Sequence, residues 1–253
     1  MTLVLRADSI GKAFGGPSVL TAATLRAYAG QISFLVGRNG CGKSTLLNIA
    51  VGALTAGDGI VTFKGRAYLR PSWHALAREG LYYLPDRDLL SPSRTVRQHL
   101  SAITRQFGIG DPDAAAQVCD VTPFLDRRCG DLSTGERRRV EVATAVAREP
   151  DCLLADEPLR HIDPRDRTLI AKALQYMASR GCAVVVTGHD IEDLFDLADS
   201  VVWCTDGTTY ELGTPAAAAS NWRFAATYLG AARAARLAAG FAPADGERTT
   251  FQG

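Results

Sequence analysis

Residues 37–45 read GRNGCGKST and follow directly on the apolar run ISFLV at 32–36. No other stretch constrains the fold as tightly. The glycines at 37, 40 and 42 let successive backbone N–H groups turn inward around a polyphosphate. Lys43 adds a compact positive charge, and the Ser44 hydroxyl can reach Mg²⁺. An apolar strand, a glycine-rich loop and a helix starting near Lys43 make one unit of an α/β fold. The candidate nucleotide contacts are Gly37, Asn39, Gly40, Cys41, Gly42, Lys43, Ser44 and Thr45. The unit binds a nucleoside triphosphate but leaves open what the energy is used for, because motors, kinases and transporters share it.

Composition narrows the classes. A chain of 253 residues with 47% hydrophobic content can fill one sizeable core. Twenty-eight basic against 27 acidic residues leave a charge of +1, so no overall field favours nucleic acid, and none is expected as a partner. The six cysteines show no CxxC spacing, and one of them, Cys41, interrupts the phosphate loop. Reduced thiols are the simpler reading. No stretch approaches the roughly 18 apolar residues of a membrane span, so membrane association is expected only through a partner.

Along the chain, runs at 3–5, 60–63, 152–156 (CLLAD) and 183–188 (AVVVTG) read as further strands. Residues 86–130 are polar and helix-permitting, with Pro92, Gly108, Gly110, Pro112 and Pro123 as punctuation, and read as a small helical insertion. Residues 135–147 place Val140, Ala143, Val146 and Ala147 on one helical face, with Arg137, Arg138 and Arg139 expected on its solvated side. Residues 231–253 begin Ala-rich and end without periodicity, which suggests a helix and a flexible tail. CLLADEP brings two adjacent carboxylates to a strand end: Asp156 suits Mg²⁺ and Glu157 suits polarising an attacking water.

LSTGERRRVEVATAVAREPDCLLADEP, residues 132–158, resembles the LSGGE signature and following Walker B segment of ATP-binding cassette (ABC) ATPases. In that family the signature of one subunit caps ATP held by the phosphate loop of another, so the cradle is half a site. The resemblance covers most of residues 1–230 and implies a P-loop fold of the ABC type. Its mixed sheet would carry antiparallel N-terminal strands and the small helical subdomain at about 86–130. It implies that Ser133 and Gly135 contact the γ-phosphate across a dimer, and that Asp163 is the D-loop aspartate. His189 matches the switch histidine, and Phe14 the aromatic that stacks on adenine. Lys43, Glu157 and His189 are then the catalytic set, with Ser44, Asp86 and Asp156 at the metal.

The chain departs from the family pattern at three places. Thr134 replaces a glycine of the signature. Arg160 and His161 stand where small D-loop residues are common, and Asp86 in YYLPDRDLL replaces the Q-loop glutamine. Asp86 also resembles the acidic residue of branched-chain amino acid import ATPases, while GERRRVEVATAVA leans toward lipopolysaccharide export. Import and export stay open at this point. The expected protein is an ATPase subunit using ATP and Mg²⁺. It would form a homodimer, or a dimer with a paralogous cassette, on the cytoplasmic face of integral membrane permease subunits. The alternatives are a soluble ABC ATPase of the iron-sulfur assembly type and a weakly hydrolysing regulatory cassette.

Overall fold

An apolar run without polar alternation needs cover on both faces, and three such runs form the centre of the molecule. The computed structural model describes residues 1–188 and 195–230 together with Arg233, Arg236 and Leu237. In it β3 (Ile32–Val36), β7 (Cys152–Ala155) and β8 (Ala183–Gly188) are buried along their whole length. They pair in parallel, β3 to β8 and β8 to β7, and β6 (Leu81–Leu84) adds to β7 in the same sense. The twofold alternation of side chains splits the core into two layers. Phe34, Val36, Leu153, Val184 and Val186 face one layer, and Leu35, Leu154 and Val185 face the other.

The second layer is completed by α1 (Lys43–Ala50), by α2 (Trp73–Arg78), whose Leu76 packs into it, and by antiparallel strands. These are β1 (Leu3–Ala13), β2 (Ser18–Tyr28), β4 (Asp58–Phe63) and β5 (Arg66–Tyr68). They join the central sheet through β9 (Ser200–Thr205) and β10 (Thr208–Gly213), giving ten strands in the order β5-β4-β1-β2-β10-β9-β3-β8-β7-β6. The seam is narrow. β2 and β10 share the single register Thr208 with Ala22, reinforced by Thr21 N–H to Gly207 O at 2.7 Å and Thr24 N–H to Thr209 Oγ1 at 2.7 Å. The expected mixed sheet with antiparallel N-terminal strands is therefore the observed one. β1 is longer than the expected 3–5, because register shifts between Ala7 and Ala13 let it run on past its apolar start.

The first layer is covered by α5 (Thr134–Arg148) and α6 (Pro164–Ser179). Between β6 and α5 lie α3 (Val96–Phe107) and α4 (Pro112–Val118), both packed on α5. Thr95 and Gln98 close a reciprocal capping box on α3, and Asp111 caps α4. One placement of the sequence reading is corrected here. Arg138 and Arg139 are 8% and 7% exposed, because α5 is enclosed by α3, α4, α6 and the turn after β7. Of the three arginines, Arg137 alone stays half-exposed, held to Asp88 at 3.0 Å. His189 lies outside the described residues. So does the expected C-terminal helix and tail at 231–253, apart from the three residues named above.

Gly110 fixes the α3–α4 connection to α5. Its φ is +84°, and a Cβ there would lie 1.9 Å from Ala147 O, whereas Gly108 at φ +68° has nothing within 4 Å of the same position. Gly110→Ala therefore meets backbone as well as left-handed strain and is expected to cost about 1–3 kcal/mol or more. Gly108→Ala should cost about 1 kcal/mol from strain alone. Urea midpoints of the two variants check the difference, and equal midpoints would contradict the close approach.

Candidate functional site

The loop after β3 is shaped by what surrounds it. A Cβ on Gly37 would lie 2.4 Å from Cys204 O and 2.6 Å from Cys41 Sγ, and one on Gly42 would lie 2.5 Å from Leu20 Cδ2. Glycine is the residue that lets β9 and β2 press this close. Gly40 and Gly42 have φ of +82° and +107°, the left-handed turns that aim backbone N–H groups inward. Gly42 caps α1 with no side-chain hydrogen bond, and no acidic residue occupies the first turn. By contrast α3, α4, α5 and α6 are capped by Thr95, Asp111, Ser133 and Asp163. The start of α1 thus offers its N–H groups to an anion. Lys43 is 5% exposed, and its Nζ donates to Gly37 O at 2.7 Å and Arg38 O at 3.2 Å. The ammonium is held against the loop.

Asp156 follows β7 and is 3% exposed. Thr187 Oγ1 on β8 donates to its Oδ1 at 2.6 Å and accepts the Glu157 N–H at 2.9 Å. Tyr83 OH on β6 points to its Oδ2 at 3.4 Å; burial, and then the charge of Asp156, pushes the Tyr83 phenol up. Thr187 and Tyr83 thus fix the Asp156 carboxylate, and Thr187 also holds the backbone of Glu157. Sequence reading missed both, and the available signal was a polar atom at the end of an apolar strand in AVVVTG and YYL. Asp156, Ser44 and Asp86 line one cleft of about 350 Å³ with Asn48, Tyr83 and Arg87. Its donors are a hydroxyl and carboxylates, the hard oxygens that suit Mg²⁺.

Asn39, Gly40 and Cys41 line a second, wider cavity with Trp203, Asp206 and Tyr228. Phe14, just past β1, is 60% exposed with Lys12 Nζ at 5.2 Å from its ring. Thr45 sits half-buried in the first turn of α1. Ser133, Gly135 and Asp163 line neither cavity of the phosphate loop. Ser133 is exposed at the start of α5, where its Oγ accepts the Glu136 N–H at 3.1 Å and Glu136 Oε2 accepts the Ser133 N–H at 2.8 Å. A Cβ on Gly135 would lie 1.7 Å from Asp166 Oδ2. That carboxylate is fixed by Arg139 Nε at 2.7 Å, and its N–H is capped by Asp163 at 3.0 Å. The starts of α5 and α6 are locked together, and Thr134 lies exposed beside them.

Cys41 has a cysteine partner across the loop. The Cys204 thiol donates to Cys41 O at 3.2 Å. The neighbouring Cys204 thiol, helped by the charge of Lys43, outweighs desolvation and pulls the Cys41 thiol down to about 6. A lowered thiol is thiolate above that pH and becomes neutral as pH falls through it. Maleimide should therefore label Cys41 readily at pH 6.5, ahead of the buried cysteines, and Cys204→Ala should slow that labelling. Peptide mass spectrometry reads both, and equal rates with and without Cys204 would contradict the pairing.

Comparison with known proteins agrees with this geometry. Residues 20–160 match the family described as "ABC transporter". The Nod factor export ATP-binding protein I of Rhizobium etli is 31% identical over 214 residues, 82% of this chain and 67% of the relative. The chain thus spans about two thirds of that relative's length. The lipopolysaccharide export system ATP-binding protein LptB of Haemophilus influenzae is 28% identical over 90% of this chain and 97% of the relative. Among solved structures, the ADP conformation of MJ1267, an ATP-binding cassette of an ABC transporter, superposes with TM-score 0.79 at 21% identity. It covers 91% of this chain and all of that one. A nucleotide-free cassette from an ABC transporter gives 0.75 at 20% identity. The phosphate loop, the paired carboxylates and the matched span agree: the chain belongs to the ABC transporter family, as an ATP-binding subunit of the kind that hydrolyses ATP to drive transport.

Proposed function

We propose that this subunit binds Mg-ATP between the phosphate loop of one copy and the Ser133 to Gly135 segment of a second copy, and that the closed dimer drives separate membrane permease subunits. The observation that carries the reading is that Ser133 and Gly135 line neither cavity of the phosphate loop in their own chain. The α1 start and the cleft of Ser44, Asp86 and Asp156 form one half-site. The exposed start of α5, already capped and braced by α6, forms another surface, with Ser133 and Gly135 lining neither cavity of the loop. Residues 1–230 are taken as the cassette, with 86–130 as its helical subdomain.

The geometry supports the following division of roles. Lys43 and the N–H groups of residues 40–45 hold the phosphates, and exposed Phe14 offers its ring to the base. Ser44 and Asp156 hold Mg²⁺, with Asp86 at the rim of the same cleft. Mg²⁺ bound there neutralises charge on the terminal phosphates. Glu157, fixed through its N–H by Thr187, orients and polarises water. His189 is assigned the γ-phosphate contact on sequence grounds. Ser133, Gly135 and Asp163 act across the dimer.

No helix among the described residues is long and apolar enough to cross a membrane, which supports a place on the cytoplasmic face beside a permease. Both named relatives serve export systems, and their agreement favours export over import for this chain.

Glu157→Gln keeps the size of the side chain and removes the carboxylate. ATP binding should survive while turnover falls by ~10²-fold or more, the range for a water-activating group. The variant should then accumulate as an ATP-bound dimer, and Ser133→Arg added to it should abolish the dimer. Light scattering after size exclusion, with and without ATP, tests this. A Glu157→Gln protein that binds ATP and stays monomeric at high concentration counts against the shared site. Lys43→Ala should lose binding of a fluorescent ATP analogue, and unchanged affinity would remove the loop from the site.

A further inference from the structure

The turn after β7 is strained at both ends. Glu157 and His161 have φ of +47° and +57°, a region that non-glycine residues enter only when their surroundings hold them there. Between them Arg160 extends one guanidinium to two carboxylates. Its NH1 lies 2.7 Å from Asp86 Oδ2, and its Nε lies 3.4 Å from Glu157 Oε2. That Glu157 oxygen is buried, while Asp86 and Arg160 are 39% and 36% exposed at their side chains. The two clearest departures from the family pattern, an acidic residue for the Q-loop glutamine and an arginine in the D-loop, are therefore partners. Each supplies the charge the other needs.

We propose that Arg160 is a positioning residue that restrains Glu157, and that Asp86 sets how firmly it does so. The inference rests on the reading of Glu157 as the water-activating group. A cation against a carboxylate oxygen takes a hydrogen-bonding position on that oxygen that water would otherwise occupy. It also fixes the direction in which that oxygen points. The planar fork of an arginine can serve two carboxylates at once, which the single ammonium of a lysine does less well. Asp86 shares its cleft with Ser44 and Asp156, so anything that draws Asp86 into the cleft moves the guanidinium and with it the restraint on Glu157. Phosphate-side events reach the hydrolytic carboxylate along this link.

Steady-state ATPase assays on the full chain without permease test the link. Arg160→Gln should raise kcat about three- to tenfold with KM for Mg-ATP within twofold, an increase that damage to the fold would not produce. Arg160→Lys should fall between it and wild type. Asp86→Asn should change kcat less in the Arg160→Gln background than in the wild-type background, because part of its effect runs through the guanidinium. In a Glu157→Gln background, Arg160→Gln should leave the residual rate unchanged. A Glu157→Gln variant with wild-type turnover overturns the reading of Glu157, and this inference with it. A slow Glu157→Gln variant alongside Arg160→Gln at or below the wild-type rate, or additive effects of Asp86→Asn and Arg160→Gln, overturns this inference alone.

Discussion

One buried guanidinium holds the candidate site together. Arg138, on α5, donates from Nε to Pro158 O at 3.2 Å, from NH2 to Asp156 O at 3.0 Å and Glu157 O at 3.2 Å, and from NH1 to Pro85 O at 3.0 Å. NH1 also meets Glu141 Oε2 at 2.8 Å, and Glu141 Oε1 accepts the Leu89 N–H at 2.9 Å. Every nitrogen of the fork is used, and the acceptors belong to the turn after β7 and to the segment after β6. Burial pushes the Glu141 carboxyl up, and Arg138 and the Leu89 N–H oppose that shift. The backbone carbonyls of Asp156 and Glu157 cannot move without moving α5, the helix capped by Ser133. Removing one partner of such a buried, fully bonded charge typically costs ~3–5 kcal/mol, a large share of the stability of a domain.

This frame works because the sheet delivers its loops to one place. β3, β8 and β7 are parallel neighbours, so the phosphate loop, Thr187 and the Asp156–Glu157 pair all leave from the same end of adjacent strands. Open α/β sheets bind ligands at that end. The strands are buried on both faces along their whole length, and a site built on their ends is held by that close packing. The chemistry therefore needs few side-chain contacts of its own. Thr187 spans from Asp156 to the Glu157 backbone with a single hydroxyl.

Local geometry was legible in the sequence, and contacts between distant segments were not. GRNGCGKST specifies its own backbone through glycines. ISFLV, CLLA and AVVVTG reveal burial on both faces by lacking alternation. β2 and β10 gave no such signal: SVLTAATLRAY mixes small and polar residues, and β10 is mostly half-exposed or exposed. Helical periodicity placed α5 but could not rank three consecutive arginines. Which of them are buried depends on carbonyls at 85 and 156–158 for Arg138 and on Asp120 and Asp166 for Arg139, all distant in the chain. The Asp86 and Arg160 departures were each visible alone, and their pairing required the fold.

Arg138 and Arg160 grip the same turn with different strength, and the difference suits different work. Arg138 is enclosed and bound mostly to backbone carbonyls, which cannot exchange it for water. Arg160 is about one third exposed and bound to two side chains, and its exposed pair with Asp86 contributes ~0–1 kcal/mol. The first contact is too costly to break during a turnover. The second is weak enough for a charged ligand in the neighbouring cleft to displace, since a charge at ~4 Å interacts by several kcal/mol at the effective dielectric of a protein surface. The turn after β7 is thus fixed at its backbone and adjustable at its carboxylate, and an adjustable carboxylate on a fixed backbone can be switched without unfolding the site that holds it.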